Sequence, residues 1–374
     1  MGLAKIGMVK WLFGLALLIG LGLNSDAQMR ANLEEEINKI IRFDTEINNQ
    51  NNPGYIIGVV VGDSSFVFPY GTIREDTLLA PNRETLFEVG GMTKVFTAAL
   101  VHLLVAEEKI HYDSTLNSYL PAAYQNPNCA DIRIVDLLYH TSGLPRMPLE
   151  FGAKEKEANN PYAHYTKKDL LEFYRDFQPI ELPGKYLYSN LAYGLLEIVL
   201  ERQTNQNFRA LLQQKVLRPF GMQQSDLEIE DRNRLAQGHT ISGQITSPWT
   251  FQSFAASEGL KSNVQDLIYF IQANLNTTAH VEQEPMLQVL QTVQFPTQLT
   301  KTSYMAGGWH MIRPRKKVEV LIHPGSTSGF RAFAGFVRNT KTGVVVLSNS
   351  EFGTNGLGML ILRMLNNEWR RKRF

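Results

Sequence analysis

The 374-residue chain has little cysteine and no surplus of charge of either sign. Cys129 is the single cysteine, so no disulfide can form within the chain. Lysine and arginine total 37 and aspartate and glutamate 36, a net charge of +1, which argues against a nucleic-acid-binding surface. The eight histidines form no His-Glu-x-x-His pattern and no pairing with cysteine, so the sequence predicts neither a metal site nor a cofactor. A Gly-x-Ser-x-Gly elbow and a phosphate-binding loop are also missing.

Long apolar runs are equally scarce, and the clearest one lies at the N-terminus. Residues 11–23, WLFGLALLIGLGL, follow two lysines and are shorter than the roughly 20 residues that span a bilayer. Ser25 and Ala27 then place small residues at the two positions that signal peptidase reads. We interpret residues 1–27 as a signal peptide, with an uncleaved anchor as the alternative. This predicts an exported protein, periplasmic or extracellular, with no stable transmembrane span after cleavage.

Runs rich in β-forming residues lie near both ends of the chain. Two of them, Tyr55–Val61 and Ser65–Pro69, are joined by a Gly-Asp-Ser turn that indicates a hairpin. Three more cover Val318–His323, Phe330–Val337 and Gly343–Ser348. The region between is mostly helical in pattern. A sheet made from both ends with helices inserted between them predicts a cleft at the junction.

A lysine opens the most apolar of the predicted helices. In LFEVGGMTKVFTAALVHLL, Lys94 is followed at once by apolar residues, and burial of an ammonium group usually lowers its pKa. A lysine in that state can act as a base. Gly91 precedes it by three positions, on the same face of a helix that turns about 100° per residue, and offers no side chain.

Two further phrases carry polar residues next to turn signals. In PGKYLYSNLAYGLLEIV, alternation along an extended segment predicts that Tyr188 and Asn190 face the cleft and that Ser189 points away. A phenol beside a lysine can exchange protons, and an asparagine amide can hold a carbonyl group. In LIHPGSTSGF, His323 and Gly325 stand at the end of a predicted strand.

These phrases together resemble the serine β-lactamases and penicillin-binding proteins, and in particular the class C-related members that include esterases and D-peptidases. GGMTK is similar to the Ser-x-x-Lys motif, with Gly91 where the family carries its nucleophilic serine. Tyr188-Ser189-Asn190 is similar to the Tyr-x-Asn loop, and His323-Pro324-Gly325 to the His-x-Gly form of the third motif. A literal Lys-Thr-Gly over residues 341–343 follows turn residues and is set aside. Supporting phrases are LLYHTSGLP, VLRPFGM, GLKS and GGW, so the resemblance covers about residues 50–350.

The resemblance implies a fold of the α/β class, α+β in type, within one domain over residues 28–374. Its antiparallel sheet would come from about residues 50–90 and 230–374 and would be flanked by helices. An inserted all-helical region would cover about residues 95–228.

The resemblance also implies roles for the motif residues. Lys94 and Tyr188 would be the catalytic pair beside the nucleophile position, Gly91. Asn190, His323, Gly325 and Ser326 would bind the ligand, with the Ser326 and Gly91 amides forming an oxyanion hole.

Nucleophilic catalysis needs an attacking atom, and Gly91 supplies none. The sequence therefore favours a non-acylating pseudoenzyme that binds a small molecule or peptide, such as a cell-wall fragment. Two alternatives stay open. One is an active esterase, D-peptidase or β-lactamase that uses a displaced nucleophile or an activated water. The other is a non-catalytic scaffold.

Overall fold

A computed structural model describes residues 26–366 apart from positions 49, 77, 152–159, 180–182, 277–280 and 316–317. Nearly all of the predicted signal peptide, residues 1–27, therefore lies outside the described residues. The chain divides into two units, Met1–Glu46 and Ile47–Phe374. In the first unit, residues 26–44 form helix α1. Among the described residues, no helix combines the length and the apolar character needed to cross a membrane.

The second unit is built on an antiparallel sheet of eight strands. The strands of this unit are β1 (Gly54–Val61), β2 (Ser64–Gly71), β3 (Phe87–Glu88), β4 (Gly238–His239), β5 (Ile245–Thr246), β6 (Lys261–Ser262), β7 (Val293–Pro296), β8 (Ser303–Ala306), β9 (His310–Arg315), β10 (Val318–Ser326), β11 (Arg331–Val337) and β12 (Thr342–Ser348). The order in the large sheet is β2-β1-β12-β11-β10-β9-β8-β7. Strands β3 and β6 form a separate two-stranded sheet, and β4 and β5 form another.

Strands from the N-terminal and C-terminal parts of the chain pair directly in this sheet. Strand β1 pairs with β12 in a register that places Tyr55 opposite Ser348, and β2 continues the sheet outward as the second arm of a hairpin. This confirms the predicted antiparallel sheet assembled from N-terminal and C-terminal segments. Every residue of β12 is buried, because helices pack against it as well as neighbouring strands.

The helices of the second unit are α2 (Thr93–Ala106), α3 (Leu116–Tyr119), α4 (Ile134–Leu138), α5 (Lys167–Asp176), α6 (Asn190–Thr204), α7 (Phe208–Leu212), α8 (Ala255–Glu258), α9 (Val264–Asn274), α10 (Glu284–Gln291) and α11 (Asn355–Leu365). Helices α9 and α11 both pack on the sheet, which confirms the predicted flanking helices. Helix α2 is buried on nearly all sides, as expected for a core helix without a polar face. It packs against α8 and α10, so its first turn lies inside the protein.

Candidate active site

A cavity of about 750 Å³ opens where the start of α2 meets the end of β10. The tyrosine loop before α6, the end of α8 and strands β8 and β9 form the rest of its wall. Its polar lining residues are Arg146, Tyr186, Tyr188, Glu258, Thr297, Ser303, Tyr304, His310, His323, Ser326 and Arg331, and Gly91 and Gly325 also border it. Of the predicted site residues, Gly91, Tyr188, His323, Gly325 and Ser326 thus share one cavity.

Two glycines allow the backbone just before α2 to approach the backbone of β10 closely at this cavity. Gly90 has a φ of +49°, and a Cβ there would lie 2.5 Å from the carbonyl oxygen of Ser326 and 2.7 Å from its nitrogen. A Cβ on Gly325 would overlap the carbonyl oxygen of Val89. Side chains at these two positions would force the segments apart. The contact brings Gly91 and Ser326 to the wall of one cavity. An oxyanion hole formed by their two amides stays a prediction.

Gly91 differs from Gly90, because nothing in its backbone surroundings requires glycine. It lies in a short 3-10 turn, Gly90–Met92, outside the left-handed region. A Cβ there would meet three polar side-chain atoms: the Tyr188 hydroxyl at 2.9 Å, Glu258 Oε1 at 3.7 Å and Lys94 Nζ at 3.7 Å. The groups that would surround a side chain at position 91 are therefore assembled around a residue that has none.

Lys94 is buried at this point with two hydrogen-bond acceptors. Its side chain is 1% exposed, and Nζ donates to the carbonyl oxygen of Ser257 and to Glu258 Oε1, each at 3.0 Å. Burial lowers the pKa of Lys94 to about 8, although the Glu258 carboxylate opposes that shift. The ammonium also lies 4.8 Å from the ring centre of Tyr188 and 5.6 Å from that of Tyr193.

Glu258, the acceptor from Lys94, is a site residue that the sequence motifs do not indicate. It ends helix α8, and its side chain is 5% exposed. An acidic residue in the apolar segment FAASEGL is an unusual feature, but no local pattern indicates that α8 packs against α2, 164 residues away.

Tyr188 is held against the cavity by stacking. The His140 ring lies 4.5 Å from its ring, and the Arg146 guanidinium lies 5.3 Å from its centre. His140 is fixed in turn because its Nδ1 accepts a hydrogen bond from the Ser189 amide. Burial raises the pKa of Tyr188 well above its ordinary value, so the side chain is a neutral phenol at pH 7 that can donate a hydrogen bond.

The structure separates Asn190 from Tyr188. Asn190 is the first residue of α6 and is buried, and its Nδ2 donates to the Tyr162 hydroxyl at 3.3 Å. It is not among the residues that line the cavity, and its Oδ1 has no hydrogen-bond partner. The extended alternation ends at Ser189, which caps α6 by accepting from the Ala192 amide at 3.0 Å. A ligand-binding role for Asn190 stays a prediction.

Two neighbouring histidines form another part of the wall. The His323 and His310 rings are 5.0 Å apart, and His323 Nδ1 lies 2.7 Å from the carbonyl oxygen of Pro324. Burial lowers the pKa of His310 to about 4 and that of His323 well below its ordinary value. Both imidazoles are therefore neutral at pH 7, and His323 can offer a hydrogen bond but no charge. His310 directly follows the GGW phrase and was not identified from the sequence.

Two of the hydroxyl groups next to the motifs, those of Thr93 and Ser189, already form hydrogen bonds within the protein. Thr93 donates to the carbonyl oxygen of Gly90 at 2.7 Å and accepts from the Leu260 amide at 3.1 Å. Ser189 donates to the carbonyl oxygen of Pro145 at 2.7 Å. Ser326 is exposed and lines the cavity.

Apolar side chains also line the cavity. Leu187 and Leu299 stand at its mouth and are 47% and 69% exposed. Met311, Ile312 and Ile322 lie further along strands β9 and β10. The cavity thus combines polar groups near Gly91 with apolar side chains that suit a hydrophobic substituent.

A large antiparallel sheet, a buried lysine helix and a glycine-bearing strand at one cleft define the class of folds to which the serine β-lactamases belong. The family model for β-lactamases matches residues 31–364, and this chain belongs to the β-lactamase family. The resemblance inferred from the motifs is therefore confirmed at the level of the family.

Individual relatives agree over most of the chain. A β-lactamase of Pseudomonas fluorescens is 25% identical over 336 residues, 81% of this chain and 90% of the relative. One from Providencia stuartii is 24% identical over 358 residues, 84% of this chain and 86% of the relative. The solved structure of a class C β-lactamase superposes with a TM-score of 0.78 at 19% identity, covering 92% of this chain and 98% of that one. At that identity the superposition establishes the shared fold.

Proposed function

We propose that this chain is an exported, non-acylating member of the β-lactamase family that binds an acyl or peptide ligand, such as a cell-wall fragment. The observation that carries the proposal is Gly91, which supplies no attacking atom although Tyr188, Glu258 and Lys94 surround its position. The two backbone donors at Gly91 and Ser326 support binding of a carbonyl group without covalent chemistry.

The residues that line the cavity also suggest which chemical groups the ligand contains. A carbonyl group would lie near Gly91, and an apolar substituent would contact Leu187 and Leu299 at the mouth. Arg146 and Arg331 line the cavity and can attract an anionic group such as a carboxylate. An acylated amino acid or a short peptide combines these three features.

The proposal is tested by treating the protein with a fluorescent penicillin and with a fluorophosphonate. We expect reversible, saturable binding of the penicillin and no covalent adduct by intact mass spectrometry. A stable adduct of the wild-type chain would contradict the non-acylating assignment. Intact mass spectrometry of the full-length protein after export tests the signal peptide, because cleavage after Ala27 removes the mass of residues 1–27.

A matched pair of variants assigns the binding to this cavity. Leu299 and Ile241 are exposed to a similar extent, 69% and 67%, but only Leu299 lines the cavity. Leu299→Asp should weaken penicillin binding severalfold because it places a charge among the apolar side chains of the cavity, whereas Ile241→Asp should not. Equal effects of the two substitutions would show that the ligand binds elsewhere.

A further inference from the structure

The buried pair of Lys94 and Glu258 occupies the place where a nucleophile and its base would meet. Both side chains are almost fully buried, and their charged atoms are 3.0 Å apart. The position of a Cβ on residue 91 is 3.7 Å from each of them. A hydroxyl carried by that Cβ would therefore meet an existing ion pair.

The pair matters because a lysine acts as a base only in its neutral form. A carboxylate at hydrogen-bond distance stabilises the ammonium form and raises the pKa of a lysine by about one to three pH units. With a pKa of about 8, about one-tenth of Lys94 is neutral at pH 7. The aromatic faces of Tyr188 and Tyr193 favour the ammonium as well.

The other groups around Lys94 act in the opposite direction or carry no charge. Arg146, on the segment after α4, lowers the pKa of Lys94. Three buried histidines whose own pKa values Lys94 helps to lower complete the surroundings: His140, His310 and His323. Glu258 is the carboxylate that raises the proton affinity of Lys94.

We propose that Glu258 is a second determinant of the non-acylating state: its carboxylate, 3.0 Å from Lys94, holds most of that side chain as an ammonium, so a hydroxyl supplied at position 91 would lack a base in most molecules at pH 7. The inference rests on the proposed function and extends it from one residue to two. Glu258 acts through Lys94 and is therefore a positioning residue. Loss of the hydroxyl at position 91 and protonation of Lys94 are two separate obstacles to acylation.

In a Gly91→Ser chain treated with a penicillin, acylation would need two bond changes and two proton transfers. The serine Oγ would form a bond to the lactam carbonyl carbon, and the lactam C–N bond would break. The hydroxyl proton would pass to a neutral Lys94, and the leaving nitrogen would take a proton from the same amine. An ammonium at Lys94 cannot accept the first proton, so only the neutral fraction, about one-tenth at pH 7, supports the attack.

Four chains test the inference: the wild type, Gly91→Ser, Gly91→Ser with Glu258→Gln, and Gly91→Ser with Glu197→Gln. Glu197 is the control because it is buried and paired with Lys167 at 2.9 Å and does not line this cavity. Its Oε2 accepts from the Ala256 amide of α8 at 3.0 Å, a bond that the glutamine oxygen can keep. Tyr188 must yield to a new Cβ in all three serine variants, so its effect cancels in the comparison. The readout is the rate of covalent labelling by fluorescent penicillin as a function of pH.

We expect the Glu258→Gln double variant to be labelled about five- to tenfold faster at pH 7 than Gly91→Ser, since most of Lys94 becomes neutral. The labelling rate should rise with pH and level off at a lower pH in that variant. The Glu197→Gln double variant should behave like Gly91→Ser.

Several results would overturn the inference. Equal labelling of Gly91→Ser and its Glu258→Gln variant shows that Glu258 is no obstacle, and slower labelling of the latter shows that Glu258 is itself the base. Absence of labelling in every serine variant shows that removing Glu258 does not free Lys94. Labelling of the wild type, in contrast, would refute the proposed function.

A second measurement needs no nucleophile. An NMR titration of the Lys94 side chain, assigned by comparison with Lys94→Arg, should give a midpoint near 8 in the wild type. Glu258→Gln should lower that midpoint, and an unchanged midpoint would overturn the inference independently of any labelling result.

Discussion

Adding one methyl group at Gly90 or at Gly91 should have very different effects on stability, although the two glycines are neighbours. Gly90→Ala places a Cβ on a residue whose φ is +49° and whose surroundings are backbone atoms of Ser326. Gly91→Ala places one on a residue outside the left-handed region, against the ends of side chains. The comparison separates a glycine that the fold requires from one that it does not.

The expected magnitudes follow from these contacts. An alanine in the left-handed region costs about 1–2 kcal/mol. Because the Ser326 atoms lie only 2.5–2.8 Å from the new Cβ, strand β10 must shift, which adds about 1–3 kcal/mol. Gly90→Ala should therefore lower the free energy of unfolding by about 2–5 kcal/mol. At Gly91, the helix preference for alanine, up to about 1 kcal/mol, offsets a small displacement of the Tyr188 hydroxyl.

Equilibrium unfolding in urea at pH 7 measures both variants against the wild type. The slope of free energy against urea concentration should be the same in all three chains, so midpoints can be compared directly. A loss below about 1 kcal/mol for Gly90→Ala would refute the argument from backbone contact. A loss as large for Gly91→Ala as for Gly90→Ala would show that Gly91 is needed for folding, and its absence of a side chain would then say little about function.

Two further predictions concern the support of the site and its response to acid. Ser189→Ala should lower the free energy of unfolding by about 1–2 kcal/mol in urea, because it removes the cap of α6 and the bond to Pro145; no loss would contradict that role. His102 is buried between the Tyr112 hydroxyl and the carbonyl oxygen of Gly307, and burial lowers its pKa from 6.5 to about 4. Its neutral form stabilises the fold above pH 6.5, so about 3 kcal/mol should be lost as the pH falls to 4. His102→Gln should flatten the urea stability profile between these pH values, and an unchanged profile would contradict the assignment.

Much of the architecture could be predicted because its signals are local. The β-forming runs near both ends and the apolar helix after Gly91 each depend on neighbours a few residues away, and the structure contains them as strands β1, β2, β10, β11 and β12 and helix α2. The family resemblance rests on short phrases of the same kind. The alternation assumed at Tyr188 did not extend to Asn190, because helix α6 begins at Asn190, after its cap Ser189, and helical geometry replaces the two-residue repeat.

The sequence by itself determined the family, the sheet built from two ends and the absence of a side chain at position 91. Only the tertiary structure decided what surrounds that position: Glu258 beside Lys94, the phenol of Tyr188 near the missing Cβ, and the neutral state of His323. These features depend on how α8 and the strands pack against α2, and on the desolvation that results. These contacts do not follow from neighbours in sequence, since the hydrogen-bond partners of Lys94 lie more than 160 residues along the chain.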